Sequence, residues 1–415
     1  MEISKRAKLT PSSPIRRLYP LAEQARAKGK KLLQVNIGQP DIPTPPHALE
    51  AVRSFDEQVL AYSPSCGVPG LREKISSYLS GYDISLDPTQ IIVTTGGSEA
   101  ILFALASVCD PGQNVIVPEP FYANYRVFCS MLGLEIAPAS THLSSNFHIQ
   151  GPGVLEEALT PAARAVLICN PSNPTGVVYT AQEMDMIARF AADHDLFVIS
   201  DEVYREFRYE GEGYISPMHI KSLENRVIIT DSISKRYSSC GARIGFLASR
   251  SPEVLEAAAR FAMARLCPPT IEQKLAEVLF LTLPGYFSDM VDEYRRRRDA
   301  VVEELEGAEG IVVSRPEGAF YMIIKLAGVD TRDFARFLLT DFDEEGETVM
   351  VAPAEGFYAT PGCGRDEIRI AYVLSPQKMK RAARIIKKAV AAYKAGEGKR
   401  AAAHPYPAPG KNRTV

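Results

Sequence analysis

From about Gln90 onward the chain alternates short runs of consecutive apolar residues with longer stretches of helical period. The runs are Ile91 to Thr94, Asn114 to Val117, Ala165 to Cys169, Leu196 to Ser200, Val227 to Thr230 and Ile244 to Ala248. Strand-length runs separated by helices predict an α/β fold. Within Ala165-Val166-Leu167-Ile168-Cys169 every position is apolar rather than every second one. That pattern predicts strands covered on both faces, and hence a mostly parallel central sheet. Thr180-Ala181-Gln182-Glu183 has the spacing of a capping box and predicts a helix to about His194.

Beyond Pro284-Gly285 the pattern changes. A long charged helix around Glu293 to Arg298 is followed by strands near Ile311 to Val313, Ala319 to Ile324 and Glu367 to Val373, which predicts a second, smaller α+β domain. The run Arg295 to Arg298 lies among Asp292, Glu293, Asp299, Glu303 and Glu304, so it reads as a solvated helix face rather than a nucleic-acid contact. The last residues, 396–415, carry Lys, Pro and Ala without an apolar face and predict a mobile tail.

Composition narrows the function classes. The 47 Lys plus Arg nearly balance the 50 Asp plus Glu, so there is no basic excess to hold a nucleic acid. No apolar run approaches the roughly 18 residues of a membrane span, and no hydrophobic stretch follows the basic residues near the N-terminus. The 7 cysteines are widely spaced without a C-x-x-C pair, as expected of reduced thiols in a cytoplasm.

In an α/β sheet, ligands gather at the carboxyl ends of the strands. After the first run come Thr95-Gly96-Gly97-Ser98-Glu99 and a helical stretch, a local pattern that lets an anion approach free amides. A P-loop lysine and a three-glycine fingerprint are both missing, which disfavours a nucleotide. After Cys169 comes Asn170-Pro171-Ser172-Asn173-Pro174-Thr175-Gly176, whose prolines stiffen the loop that begins with Asn170. After Ser200 come Asp201 and, three residues on, Tyr204; a carboxylate at that depth is costly unless a cation pairs with it. After Thr230 come Ser232, Ser234 and Lys235, then Arg243 in Gly241-Ala242-Arg243-Ile244-Gly245.

Taken singly, each of these reads as a turn, cap or surface residue. Together they have a chemical sense. A lysine condenses with an aldehyde, an aspartate keeps a pyridine nitrogen protonated, Asn and Tyr bind a phenolate oxygen, and Ser, Arg and helix amides hold a phosphate. Those are the requirements of pyridoxal 5'-phosphate.

The order of Asn170 in NPSNPTG, Asp201 and Tyr204 in SDEVY, Lys235 in SISK and Arg243 in GARIG resembles the fold type I aminotransferases of class I and II, in the aspartate aminotransferase superfamily. The resemblance runs from NIGQPDIPTPP at Asn36 to GRDEIRIAYV ending at Val373. It implies the PLP-dependent transferase-like fold, with a large cofactor-binding domain over 51–290, a small C-terminal domain over 291–395 and an N-terminal segment, 1–50, that joins the small domain. It further implies that Lys235 is the Schiff-base lysine and proton carrier, and that Asp201 partners the pyridine nitrogen. Asn170 and Tyr204 would hydrogen-bond the 3'-oxygen, and Tyr122 in PFY would stack on the ring. Gly97, Ser98, Ser232 and Arg243 resemble the phosphate cradle, with Ser234 a second candidate there.

By the same resemblance, Arg369 rather than Arg365 binds the substrate α-carboxylate, assisted by the amide of Gly38 and by Asn170. Tyr62 is similar to the tyrosine that reaches the cofactor phosphate of a neighbouring subunit, which implies a homodimer with shared sites. Arg265 has two readings, a cation for a distal substrate carboxylate or the last turn of a helix. The segment Arg236-Tyr237-Ser238-Ser239-Cys240 departs from the family, where small or apolar residues are common after the lysine.

The implied activity is a ping-pong aminotransferase acting on an L-amino acid, aspartate or glutamate favoured, and a 2-oxo acid such as 2-oxoglutarate. β-Elimination from a cysteine conjugate, racemisation and decarboxylation use the same cofactor and form the alternative. A ligand-sensing module without turnover is disfavoured, because Met1 to Leu33 is too short for a DNA-binding domain. No metal, nucleic acid or membrane partner is expected.

Overall fold

The computed structural model describes residues 1–11, 16–211 and 213–396; the expected tail lies outside them from 397 onward. Seven strands form one sheet in the order Ile91–Thr94, Gly245–Ser249, Val227–Ser232, Phe197–Asp201, Ala163–Cys169, Asn114–Glu119 and Glu135–Ser140. All pairings are parallel except those made by Gly245–Ser249, which runs antiparallel to both neighbours.

The unbroken apolar runs have the predicted consequence. Ala165, Leu167, Ile199 and Ile228 enter one buried cluster, whereas Val166, Ile168, Val198, Val227 and Ile229 enter another on the opposite face. Successive strand residues point to opposite sides, so covering both faces requires every position to be apolar. Truncating one of these side chains, as in Leu167→Ala, would cost about 2–5 kcal/mol. The helix Ala181–Asp193 carries the capping box, with Thr180 Oγ1 accepting from the Glu183 amide and Glu183 reaching back to the Thr180 amide.

The C-terminal part holds an antiparallel sheet ordered Ala352–Pro353, Glu367–Ala371, Tyr321–Leu326 and Ile311–Val313, with helices Pro284–Leu305, Thr331–Thr340 and Pro376–Lys394. Lys31–Gln34 pairs in parallel with Glu347–Met350, which carries the N-terminal segment onto this part of the molecule. The boundary expected at 290/291 falls inside the helix Pro284–Leu305.

One expectation on that helix is corrected. Arg297 and Arg298 are buried rather than solvated. Arg297 pairs with Asp41 and Glu293, and Arg298 pairs with Asp299 and Glu210 and donates to the Pro316 carbonyl. Arg296 stays exposed and Arg295 half-exposed, each paired one turn back with Asp292 or Glu293. Four consecutive residues sweep a full helix circumference, so two of them must face inward. Among the described residues no helix is long and apolar enough to cross a membrane.

Candidate active site

Parallel register sets Cys169 beside Asp201 and Asp201 beside Thr230, so the three central strands end at one level. Asp201, the last residue of its strand, is buried. It accepts hydrogen bonds from the Tyr125 hydroxyl at 2.7 Å and the Val203 amide at 3.4 Å. Among the described residues no cation is paired with it. Burial pushes its carboxyl up to about 6, since desolvation of the anion outweighs those two bonds.

Lys235 lies on the four-residue helix Ile233–Arg236 that follows the strand Val227–Ser232. Its Nζ donates to the Gly38 carbonyl at 2.8 Å and sits 3.8 Å from Cys240 Sγ. Desolvation lowers the pKa of the amine, and the positive charges of Arg369 and Arg243 act in the same direction.

Beside the lysine, three elements converge on one small space. The helix Gly96–Val108 presents its N-terminus, where Gly96 has φ +74° and a Cβ would lie 2.3 Å from Arg243 Nη2. Only glycine allows the guanidinium to lie that close to the first turn. Gly97 and Ser98 follow, and a Cβ on Gly97 would be 3.6 Å from Ser232 Cβ. Ser232 Oγ is 2.7 Å from Ser234 Oγ, so both serines that the sequence could not separate belong to the same turn. Helix amides, two hydroxyls and a guanidinium are the kind of donors that an anion needs.

The second half of the site comes from the C-terminal part. Arg369, buried on the strand Glu367–Ala371, donates to Asn173 Oδ1 at 3.2 Å and to the Asn36 carbonyl. Its guanidinium lies 4.7 Å from the Tyr321 ring centroid and 4.9 Å from that of Phe357. Arg369 Nε and both polar atoms of the buried Asn36 side chain have no hydrogen-bond partner. Tyr321 Oη is 2.8 Å from Tyr204 Oη, and a Cβ on Gly38 would lie 1.8 Å from Tyr321 Oη. Contacts thus run from Lys235 to Gly38, Tyr321, Tyr204 and Arg369 without a break.

The model of the family described as aminotransferase class I and II matches residues 30–386. The chain belongs to the class I and II aminotransferases. It is 32% identical over 391 residues to the aromatic-amino-acid aminotransferase 2 of Thermococcus litoralis, covering 92% of this chain and 96% of that protein. It is 31% identical to the aspartate aminotransferase of Pyrococcus abyssi, again over 92% and 96% of the two chains. Among solved structures, the alanine aminotransferase of Pyrococcus furiosus superimposes with a TM-score of 0.85 at 27% identity, covering 94% of this chain and 100% of that one. The protein is therefore a fold type I transferase of the aspartate aminotransferase type.

Within this aminotransferase two expected residues stand elsewhere. Asn170 is consumed by the fold: its Oδ1 accepts from the Tyr179 amide at 3.0 Å and its Nδ2 reaches the Ile215 carbonyl at 3.4 Å. Asn173, the second asparagine of the same motif, is the one that faces Arg369. Arg265 ends the helix Pro252–Arg265 and donates to the carbonyls of Ser65 and Val93, each at 3.2 Å, with Glu99 3.4 Å away. Its charge is engaged there, and within its own chain it serves the last-turn reading. Arg365 is exposed and 3.9 Å from Asp330.

Gly38 contributes its carbonyl to Lys235 in this state, rather than its amide to a ligand. Tyr122 stands edge-on to Tyr125 at 5.4 Å, with burial pushing its phenol up to about 12. Tyr62 is 80% exposed. Sequence reading missed Tyr125 and Tyr321. Tyr125 follows Tyr122 by three residues, one helical turn, which is the signal that could have placed it beside Asp201; nothing local marks Tyr321.

Proposed function

We propose that this aminotransferase uses pyridoxal 5'-phosphate held by the residues above to move an amino group between an L-amino acid and a 2-oxo acid. The observation that carries the reading is a set of charges with no counter-charge, two of them buried and Lys235 half-buried. Asp201, Lys235 and Arg369 lie in one contact-linked space beside an anion cradle, each facing only neutral partners. Such groups are costly to keep in a fold unless a ligand completes them.

The residues fit the cofactor. Gly97, Ser98, Ser232, Ser234 and Arg243 would hold its phosphate, Asp201 its pyridine nitrogen, Tyr204 and Asn173 its phenolic oxygen, and Tyr122 one ring face. When bound, the group supplies an aldehyde carbon for the amino group and an electron sink for the carbanion at the substrate Cα. Arg369 would bind the substrate α-carboxylate as a planar fork, with the Tyr321 and Phe357 rings packed near it. Lys235, depressed by desolvation, is neutral more readily than an exposed lysine and so fit to take and return the proton at Cα. Asp201 stays ionised once a cation is beside it.

The proposed assembly is a homodimer. Val59, Leu60, Tyr62, Met263 and Leu266 are each more than half exposed. Their two segments are tied together by Thr270 on the Ala61 carbonyl and Arg265 on that of Ser65. An exposed apolar group of that kind is suited to a partner, and it carries Tyr62 toward the neighbouring site. The donor and acceptor to try first are aspartate or glutamate with 2-oxoglutarate, then alanine and phenylalanine.

The test is an absorption spectrum of the protein with the cofactor, recorded on adding each amino acid and then 2-oxoglutarate. Conversion to the pyridoxamine spectrum and return with the oxo acid is the expected result. No amino acid producing that reversible change would overturn the reading.

A further inference from the structure

Directly behind the site lies a second set of buried charges, organised differently. Arg205 and Arg236 are both fully buried. Arg236 donates to both carboxylate oxygens of Asp231 at 2.5 Å, has Nε 3.3 Å from Glu206 and stacks 4.4 Å from the Tyr78 ring centroid. Arg205 pairs with Glu202 at 2.6 Å and with Asp231 at 2.9 Å, and donates to the Tyr78 hydroxyl at 2.8 Å. Tyr78 in turn donates to Glu206. Asp231 Oδ1 also accepts from the Ser232 amide at 2.6 Å.

The members of this network share one sequence relation to the site. Glu202 follows Asp201, Asp231 precedes Ser232, and Arg236 follows Lys235. Each of three site residues, drawn from two strand ends and one turn, has its immediate chain neighbour in the network. A four-residue helix has little rigidity of its own. The Arg236 to Asp231 pair, in which one Nη2 reaches both carboxylate oxygens, spans that helix from its last residue to the residue before its cap, and so fixes the turn that carries Lys235 between its two ends.

We propose that Arg236, acting through Asp231, is a positioning residue that sets Lys235 and the Ser232 turn against the end of the Asp201 strand. Arg236 touches neither ligand nor reacting atoms. Lysine at this position would keep the charge but, with a single nitrogen, could not meet Asp231 and Glu206 from two points of one planar group. The proposal rests on the cofactor reading above, and it concerns the part of the chain that departs from the family just after the lysine.

The experiment compares Arg236→Lys with Arg298→Lys, which alters another buried, paired arginine far along the chain from Lys235. Apoprotein of each is titrated with pyridoxal 5'-phosphate by fluorescence, its unfolding temperature is measured, and kcat and KM are determined for the best amino acid. Arg236→Lys is expected to weaken cofactor affinity about 10-fold or more and to lower kcat about 100-fold, as a displacement near 1 Å would. KM for the amino acid should stay within about twofold, because Arg369 is untouched. Arg298→Lys is expected to change the unfolding temperature alone.

Equal loss of stability in both variants with unchanged affinity and kcat would overturn the proposal. Should Arg236→Lys fail to fold, Tyr78→Phe removes one hydroxyl of the network and keeps the ring; a cofactor affinity and kcat equal to those of the parent would then overturn it. Failure of the parent itself to bind the cofactor strikes the underlying reading instead, so the two failures are distinguishable.

Discussion

Two layers of buried charge lie back to back in this aminotransferase, and they are built on opposite rules. In the rear layer Arg205 and Arg236 each touch two carboxylates, and Asp231 is shared between them. In the front layer Lys235 meets a carbonyl and a thiol, Arg369 a carbonyl, an amide and two aromatic rings, and Asp201 a phenol and an amide. Burial is common to both, so burial alone does not mark a binding site. What separates them is whether the protein itself supplies the opposite charge. A neutralised network stabilises or positions, whereas charges left without a partner are a cost the fold bears for a ligand.

This contrast is sharpest where a front-layer group is removed. Lys235→Ala should abolish the cofactor's lysine-dependent absorbance band and reduce turnover to background, and retained turnover would break the comparison outright. Asp201→Asn should lower turnover on the order of 10² to 10³-fold by removing a charge aimed at the electron sink. The same change should stabilise the apoprotein. A carboxyl raised to about 6 by burial binds its proton more tightly folded than unfolded, so stability falls as pH rises from about 4 through 6. The asparagine variant escapes that loss, gaining up to about 3 kcal/mol at pH 8 and almost nothing at pH 4. Urea unfolding of the apoproteins at the two pH values checks the sign.

Arg369→Lys should reduce kcat/KM for every amino acid about 100-fold while the cofactor still binds normally, since a point charge replaces a fork. An unchanged KM across an amino-acid panel would remove Arg369 from the carboxylate role. The smallest effect belongs to a fully matched group outside both layers. His148 bonds to Glu183 at 2.9 Å and Glu317 at 3.0 Å, which raise its pKa to about 10. Its contribution is complete below the ordinary pKa near 6.5 and is lost as pH rises through 10. His148→Phe should therefore cost about 1 kcal/mol at pH 6, discounted for partial exposure, little at pH 10, and leave kcat unaltered.

Much of this was legible in the sequence because it depends on local pattern. The six apolar runs are strands to within two residues at their ends, and the capping box at Thr180 forms as spaced. What the sequence could not decide depends on distant contacts. Asn170 and Asn173 sit in the same motif, each followed by a proline, and the choice between them turns on Tyr179 and Ile215 consuming one amide. The arginines at 297 and 298 read as solvated because their flanks are acidic, yet Asp41, far back in the chain, is what draws Arg297 inward. Arg265 is likewise decided by carbonyls of residues 65 and 93. Charge type is written locally, whereas its neutralisation is a tertiary fact.

The most direct test of the central claim is chemical trapping. The protein loaded with pyridoxal 5'-phosphate is reduced with borohydride, digested and mapped by mass spectrometry. The unneutralised layer predicts a single phosphopyridoxyl group on Lys235, lost in Lys235→Ala. Equal labelling of that variant, or a label on an ion-paired surface lysine such as Lys387, would contradict the view that unpartnered buried charge identifies the site.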